Sequence, residues 1–198
     1  MYKGPPFKVA EKSISAAHTG FINKIGYTPW DQCGHFVTIS ADKFIKVYST
    51  ETSELVFEQE KCHAMGINDM AFMPNEWEIA TCSSDRTVKI WKLDLEAKSF
   101  TEIRTLNLSE DDTSAYKDNV EKQILAVAGF KSGETLGLNL HSDISVWKGE
   151  STSPDLVIRG HRSTVNSVGN FNNTALISGD SEGHILSWDP ATGNANRS

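Results

Sequence analysis

The fold of this protein is decided by residues 81–93, which read TCSSDRTVKIWKL. Residues Ser84–Arg86 have the composition of a tight turn, because a short Asp side chain can hydrogen-bond to the backbone two residues further along. The following segment, Val88–Trp91, has the alternating pattern of a half-buried strand and ends in Trp. Ile79–Cys82 supplies a second apolar segment before the turn. The stretch therefore predicts two antiparallel strands joined by a hairpin.

This hairpin contains part of a spaced set of polar side chains. His63 lies 22 residues before Asp85, Trp91 lies six residues after it, and Thr81 or Ser83 supplies a hydroxyl between them. Such a set is the signature of a WD repeat, a four-stranded blade of a β-propeller that recurs about every 40–45 residues. We expect the imidazole, hydroxyl, carboxylate and indole N–H to form a hydrogen-bonded chain, which is stable only when every member has a partner.

The same residue types could form a His-Ser-Asp catalytic triad. The set recurs along the chain, however, whereas a catalytic site would occur once, so we interpret it as structural. The sequence has no phosphate-binding Gly loop, nucleophile elbow or metal-ligand cluster. His35 and His184 are interpreted as turn or packing residues. We therefore predict that the protein is not an enzyme, and that it has no catalytic residues, metal site or cofactor.

Four repeats are expected, at residues 9–49, 54–93, 100–148 and 155–189. The predicted fold is all-β, a partial WD-repeat β-propeller with about four repeats of four-stranded antiparallel blades, and residues 1–198 form one such domain. In the first repeat Tyr48 replaces the Trp. In the fourth, Glu182 stands where Asp is usual, so a looser or absent link to its His is expected. The predicted structural set is His18, Asp42, His63, Asp85, Trp91, His161 and Trp188.

The third repeat departs from the pattern. Trp91 and Trp147 are 56 residues apart, so an insertion is predicted at residues 109–123, interpreted as a solvated loop, with a partner-binding element as the alternative. Asp143 lies only four residues before Trp147, and the hydrogen-bonded chain is therefore not expected here.

The two ends of the chain do not complete a blade in the predicted pattern. Residues 190–198 are predicted to form a turn and a polar tail without a fourth strand, whereas Val9–Ser15 suits an isolated outer strand. We interpret the chain as a piece of a larger propeller, because WD repeats favour rings larger than four blades. Its two end faces should then expose apolar surface that a complete ring covers.

Composition limits the classes of partner. Hydrophobic residues make up 38% of the chain and charged residues 23%, as in ordinary globular proteins. The net charge of −7 argues against nucleic acid and anionic membranes as partners. The longest apolar run, Ile124–Phe130, is too short to cross a bilayer. Cys33, Cys62 and Cys82 form no close pair and are interpreted as reduced thiols of a cytoplasmic protein.

Several motifs together are more specific than a generic WD repeat. They are Gly4–Lys8 (GPPFK), His18–Phe21 (HTGF), Ser40–Lys43 (SADK), Arg159–His161 (RGH), Glu182–Asp189 (EGHILSWD), Ala191–Gly193 (ATG) and Asn196–Arg197. In this order they resemble the actin-interacting protein 1 family, the WD-repeat cofactors of cofilin. Members of that family carry two seven-bladed propellers, and this chain looks like the second half of the first.

The resemblance implies a non-enzymatic protein of the cytoskeleton that binds actin filaments and promotes disassembly of those decorated by cofilin. The alternative is a general WD-repeat scaffold unrelated to actin. The resemblance also assigns actin or cofilin binding to Phe7 and Phe21, although both could instead pack between blades. Val9 replaces a second aromatic residue of that family. Acidic residues of earlier blades are outside this chain, so weak binding and no acceleration of disassembly are expected from these 198 residues alone.

Overall fold

A computed structural model describes residues 13–32, 34–73, 77–108, 123–130, 135–139 and 143–195, and for 135–139 it describes the backbone only. Every regular element in these ranges is a β-strand, which confirms the predicted all-β class. The strands pair with their neighbours in chain order, always antiparallel, into four separate sheets. The hairpin of residues 81–93 thus lies in one of four sheets that are each built from consecutive strands.

The sheets have the following strands. Sheet 1 contains β1 (Ile22–Tyr27), β2 (His35–Ser40), β3 (Ile45–Ser49) and β4 (Leu55–Gln59). Sheet 2 contains β5 (Ile67–Phe72), β6 (Glu78–Ser83), β7 (Thr87–Asp94) and β8 (Ser99–Asn107). Sheet 3 contains β9 (Ile124–Gly129), β10 (Thr135–Asn139), β11 (Ile144–Trp147) and β12 (Leu156–Ile158). Sheet 4 contains β13 (Val165–Phe171), β14 (Ala175–Asp180) and β15 (Ile185–Trp188).

Each hydrophobic core lies between two successive sheets, not within one. In β6, Ile79 packs against sheet 1, while its neighbour Ala80 packs in the cluster shared with sheet 3. Trp91 and Ile90 in β7 divide between the same two clusters. Successive side chains of a strand point to opposite faces, so one alternating strand contributes to two cores. A third cluster joins sheets 3 and 4 around Trp188.

The first strands of the four sheets lie side by side along one edge of the stack. Side chains cross from one of these strands to the next: Lys24 Nζ lies 2.6 Å from Asp69 Oδ1, and Asp69 Oδ2 accepts a 3.0 Å bond from the Val127 N–H. Serial packing of four-stranded sheets about a shared inner edge is the arrangement of propeller blades. The fold is therefore consistent with part of a propeller.

The turns between the second and third strands of sheets 1, 2 and 4 have one geometry. In each, the fourth residue donates its N–H to the carbonyl of the first at 3.2 Å: Lys43 to Ser40, Arg86 to Ser83 and Gly183 to Asp180. That fourth residue has a positive φ in all three turns, 75° for Lys43, 74° for Arg86 and 89° for Gly183. A turn followed by one left-handed residue is a common three-residue hairpin connection.

Some sequence predictions lie outside the described residues. These are the isolated strand over most of 9–15, the insertion over 109–122 and the last three residues of the tail. Sheet 4 has three strands in the described part of the chain, and Ala195 forms an isolated bridge with Trp188. The division into four repeats with an insertion and a tail stays a prediction.

Substituting Gly183→Ala should lower the free energy of unfolding by about 1 kcal/mol. At a φ of 89° a side chain strains the backbone, whereas glycine accepts this conformation without cost. Urea denaturation would measure the loss. The control is Gly169→Ala, because Gly169 lies in β13 with open space where a Cβ would be placed and has no positive φ. Equal effects of the two substitutions would contradict the expectation.

Candidate functional site

The polar set of sheet 2 forms one continuous hydrogen-bonded chain. The Trp91 Nε1–H donates to Thr81 Oγ1 at 2.9 Å, and Thr81 Oγ1 lies 2.8 Å from His63 Nε2. On the other side of the ring, His63 Nδ1 lies 3.1 Å from Asp85 Oδ2. Because the Thr81 oxygen accepts from the indole, its O–H is free to donate to Nε2, and the Nδ1–H then donates to the carboxylate. Thr81, not Ser83, supplies the hydroxyl.

Asp85 is also bonded to the backbone of the loop that carries the imidazole. Its carboxylate accepts from the Ala64 N–H at 2.8 Å, the Thr87 N–H at 3.0 Å and the Thr87 hydroxyl at 2.7 Å. Burial by itself raises the pKa of Asp85, but the hydrogen bonds from His63, Thr87 and Ala64 outweigh it and hold that pKa well below the usual value. The side chain therefore stays ionised and joins the entry loop to the hairpin.

Sheet 1 keeps most of this arrangement and changes one end. His18 Nε2 lies 2.8 Å from Thr38 Oγ1, and His18 Nδ1 lies 3.0 Å from Asp42 Oδ2. Tyr48 stands at the Trp position, and its hydroxyl donates to the Ala17 carbonyl at 3.3 Å instead of to the threonine. The hydrogen-bonded chain of sheet 1 thus lacks the bond from the aromatic residue to the threonine. The loop that carries His18 is still joined to the turn that carries Asp42.

In sheet 4 Glu182 has no link to His161, and a different acid takes its place. His161 Nδ1 lies 2.9 Å from Asp180 Oδ2, and its Nε2 lies 2.7 Å from Ser178 Oγ, which also accepts from the Trp188 indole at 2.7 Å. The acid is Asp180, which lies two positions earlier than Glu182. Glu182 contributes only its backbone N–H, which donates to Asp180 Oδ1 at 3.0 Å. The sequence prediction relied on the usual spacing of six residues between the acid and Trp188, and therefore selected Glu182 instead of Asp180.

Sheet 3 uses different contacts around its Trp. The Trp147 indole donates to the Asn107 carbonyl at 3.3 Å, across the boundary with sheet 2. The position that corresponds to Thr81, ten residues before the Trp, is Gly137, which has no hydroxyl. Asp143 accepts instead from Arg159 Nε at 3.1 Å. The relay of sheet 2, which is the hydrogen-bonded chain from the indole through the hydroxyl and the imidazole to the carboxylate, therefore cannot form through residue 137.

These repeated sets are suited to holding loops and not to nucleophilic chemistry. The three hydroxyls, of Thr38, Thr81 and Ser178, are each no more than 2% exposed, so no substrate atom can approach them. Burial also raises the pKa of the Cys62 thiol to about 12 and that of Cys82 well above its usual value, which disfavours the reactive thiolate. Cys33 lies outside the described residues.

The two histidines interpreted as turn residues both contact carboxylates. His35 Nδ1 lies 2.6 Å from Asp31 Oδ2, and Thr28 Oγ1 donates to Asp31 Oδ1 at 2.5 Å, which closes the β1–β2 loop. His184 Nδ1 lies 3.2 Å from Asp180, the acid already bound to the buried imidazole of sheet 4. In both cases the sequence contains the acid four residues before the histidine, so the contact could have been predicted from this spacing.

Of the two aromatic residues predicted to bind filaments, the structure describes only Phe21. Phe21 is 83% exposed and directly precedes β1. Phe7 lies outside the described residues.

Where the structure describes the chain, no three His, Cys, Asp or Glu side chains are grouped closely enough to hold a metal ion. Nor does that part of the chain contain a helix that is long and apolar enough to span a membrane.

Comparison with known proteins places this geometry among WD repeats. The family model described as "WD domain, G-beta repeat" matches residues 54–92 and 152–189, which include most of sheets 2 and 4. The chain therefore carries WD40 repeats, and the recurring His–hydroxyl–indole contacts occur in both matched segments.

The chain is also homologous to longer proteins. It is 31% identical to WD repeat-containing protein 1 of Gallus gallus over 97% of its own length. It is 23% identical to actin-interacting protein 1 of Drosophila melanogaster over 100% of its length, and 28% identical to actin-interacting protein 1 of Caenorhabditis elegans over the same share. The chain spans 30% or 31% of the length of these three relatives.

Substituting Thr81→Val should lower the free energy of unfolding by about 3 kcal/mol. Valine has nearly the same shape but leaves the Trp91 N–H and His63 Nε2 buried without a partner, and each such group costs about 1–3 kcal/mol. Urea denaturation would measure the change. Thr101→Val, on the exposed side of β8, serves as the control and should change stability by less than about 0.5 kcal/mol. Equal losses would show that the relay contributes nothing.

Stability should decline as the pH is lowered below about 4. The unfolded chain takes up a proton on Asp85 near that pH, whereas the folded chain does not, because its pKa is depressed. The stabilisation is thus present above the unfolded pKa and is lost as the pH falls through the folded one. Urea midpoints measured from pH 6 to pH 2 should fall less steeply for Asp85→Asn than for the unmodified protein or for Glu96→Gln in an exposed turn. Parallel curves would refute the assignment.

Proposed function

We propose that this chain, which carries WD40 repeats and is homologous to WD repeat-containing protein 1, is a binding module that contacts actin filaments. In this proposal the contact contributes, together with acidic residues of earlier blades outside these 198 residues, to the disassembly of cofilin-decorated filaments, by binding and without catalysing a reaction, in the cytoplasm at the cytoskeleton. The names of two relatives, actin-interacting protein 1 of fly and of worm, support actin as the partner. Cofilin enters through the sequence resemblance alone.

The observation that carries the proposal is the exposed ring of Phe21 on a loop with fixed ends. The loop before it is tied to Asp42, which accepts from the Thr19 N–H at 2.9 Å and lies 3.0 Å from His18 Nδ1. The loop after β2 returns to it, because the Ala41 N–H donates to the Phe21 carbonyl at 2.9 Å. An aromatic ring held by a rigid scaffold loses little conformational freedom on binding, and aromatics dominate many interfaces.

In this proposal the hydrogen bonds of sheet 1 serve binding because they fix the loop that carries Phe21. The buried His18 imidazole and the Asp42 carboxylate set the position of the backbone from which Phe21 projects. A binder of this kind changes a filament only through its different affinities for two filament states. A preference for cofilin-strained filament, or for freshly exposed ends, over intact filament would favour disassembly with no covalent step, which agrees with the buried hydroxyls and thiols.

The second candidate is a general WD-repeat scaffold for proteins unrelated to actin. The match to the general WD repeat model over two segments supports it, because that model carries no information about the partner. The two candidates differ in their behaviour with purified components. A scaffold unrelated to actin would not sediment with either kind of filament.

The test is cosedimentation of the purified 198-residue chain with bare and with cofilin-decorated actin filaments. We expect weak binding that is stronger to the decorated filaments, and no acceleration of disassembly by this chain alone. Phe21→Ala should weaken binding to decorated filaments by about 5–30-fold, the effect of losing an interface anchor worth about 1–2 kcal/mol.

The matched control is Ile103→Ala, an exposed apolar residue of β8 that is 42% exposed. It should leave binding unchanged, and thermal melts should show that both variants fold. Equal binding to bare and decorated filaments, or an equal loss in the two variants, would contradict the proposal.

A further inference from the structure

The loops that precede the first strands of sheets 1 and 2 are neighbours in space. They are residues 15–21 before β1 and residues 60–66 before β5, and we call them entry loop 1 and entry loop 2. The Asn23 amide of β1 donates to the carbonyl of Ile67, the first residue of β5, at 2.6 Å. The two strands therefore begin side by side, and the two loops lie together at the boundary between sheets 1 and 2, both of which the structure describes.

The two entry loops and the β2–β3 turn between them form one apolar surface. The Ala41 N–H in that turn donates to the Phe21 carbonyl of entry loop 1 at 2.9 Å. Ala41 also packs on Gly66 of entry loop 2, so closely that a Cβ on this glycine would lie 3.1 Å from the Ala41 Cα. Met65 directly precedes the glycine and is 50% exposed, and Ala41 and Ala64 are exposed as well. We call Phe21, Ala41, Ala64 and Met65 the entry surface.

Met65 extends from a backbone that is fixed on both sides. The Ala64 N–H donates to the Asp85 carboxylate at 2.8 Å, and the Gly66 carbonyl accepts from the Ser83 hydroxyl at 2.8 Å. The backbone of entry loop 2 is therefore held in place before any partner binds, which lowers the entropy that binding costs. The methionine side chain is unbranched and adapts its shape to the surface that it contacts, a property used at many binding surfaces.

Exposed cations surround the entry surface. Lys43 in the β2–β3 turn and Lys61 in entry loop 2 are both exposed. The Lys43 carbonyl accepts from the Cys62 N–H at 3.1 Å, which places the backbones of the two lysines side by side. Arg86 is exposed in the β6–β7 turn. Glu60 is the one exposed acid of these two loops and two turns, all of whose residues the structure describes.

The other two carboxylates of this region do not face the solvent. The Asp42 side chain is 7% exposed and the Asp85 side chain is 10% exposed, because both accept hydrogen bonds from their own entry loops. The side of sheets 1 and 2 at which β1 and β5 begin therefore presents mainly cations to a partner. The turns on the opposite side, β3–β4 and β7–β8, have the reverse balance, with three exposed acids and one exposed cation, which are Glu51, Glu54, Glu96 and Lys98.

We propose that the entry surface binds an acidic protein segment of the filament, with an apolar side chain of that segment on Met65 and its carboxylates near Lys43 and Lys61. This inference rests on the proposed function and deepens it, because it adds a contact on sheet 2 to that of Phe21 and states the chemistry of the partner. The lysines select an acidic segment, since opposite charges speed association and like charges reject other partners. The apolar centre selects a segment that also carries an apolar side chain.

The first test is cosedimentation of Met65→Ala with cofilin-decorated actin filaments. The substitution should weaken binding by about 3–10-fold, because it truncates an apolar anchor of the interface. The matched control is Leu55→Ala, since Leu55 is 47% exposed and begins β4 on the opposite side of sheet 1. This control should leave binding unchanged, and thermal melts should show that both variants fold.

The second test is the salt dependence of Lys61→Glu in the same assay. Charge reversal should weaken binding by about 5–20-fold at about 50 mM salt, and the difference should shrink to less than about threefold at about 300 mM, because salt screens exposed charges. The matched control is Lys98→Glu, since Lys98 is also exposed and has a φ of 51°, against 53° for Lys61. It lies in the β7–β8 turn on the opposite side and should leave binding unchanged.

The outcomes separate this inference from the proposed function. Weaker binding of Phe21→Ala together with unchanged binding of Met65→Ala and Lys61→Glu would overturn the inference and leave the proposed function in place. Stronger binding of Lys61→Glu would also overturn it, because the partner segment would then be basic. No binding of the unmodified chain to either kind of filament would overturn both.

Discussion

The structure depends on a hydroxyl that is buried between an imidazole and an indole. In sheets 2 and 4 this hydroxyl belongs to Thr81 and Ser178, accepts from the Trp N–H and faces His Nε2. Polar groups are expensive to bury unless each is paired, and here every group is paired by a neighbour in the same repeat. A small sheet that has no core of its own therefore fixes its entry loop through bonds within its own repeat.

The hydrogen bonds that hold the entry loops explain which parts of the fold and of the polar sets could be predicted from the sequence. The hairpin of residues 81–93 and the polar set of sheet 2 follow from local spacing, and the structure has them as expected, with Thr81 as the hydroxyl. The acid of sheet 4 did not follow, because the prediction required a carboxylate six residues before Trp188. Asp180 reaches the same imidazole from the end of β14, where Ser83 stands in sheet 2. What is preserved is the position of the carboxylate in space, and sequence spacing is only its usual consequence.

Contacts between sheets were beyond prediction from the sequence for a different reason. The Trp147 indole donates to the Asn107 carbonyl of the preceding sheet, and the Asn68 amide donates to the Ile124 carbonyl of the following one. Both bonds join residues that are far apart in the chain, and no local pattern encodes them. The exposure of Phe21 is of the same kind, because whether an aromatic ring is covered depends on elements that pack from elsewhere.

The division of the cores among pairs of sheets has a consequence for the dynamics of the chain. Among the described residues each hydrophobic cluster joins two neighbouring sheets, so sheets 2 and 3 have a described sheet packed on both faces and sheets 1 and 4 on one. In such a linear array, stability is close to a sum over units and their nearest-neighbour contacts. Amide protons of the middle sheets should then exchange with solvent most slowly, while the outer sheets open in separate, less costly events. The four described sheets would behave as a graded series of cooperative units, with sheets 2 and 3 the last to open.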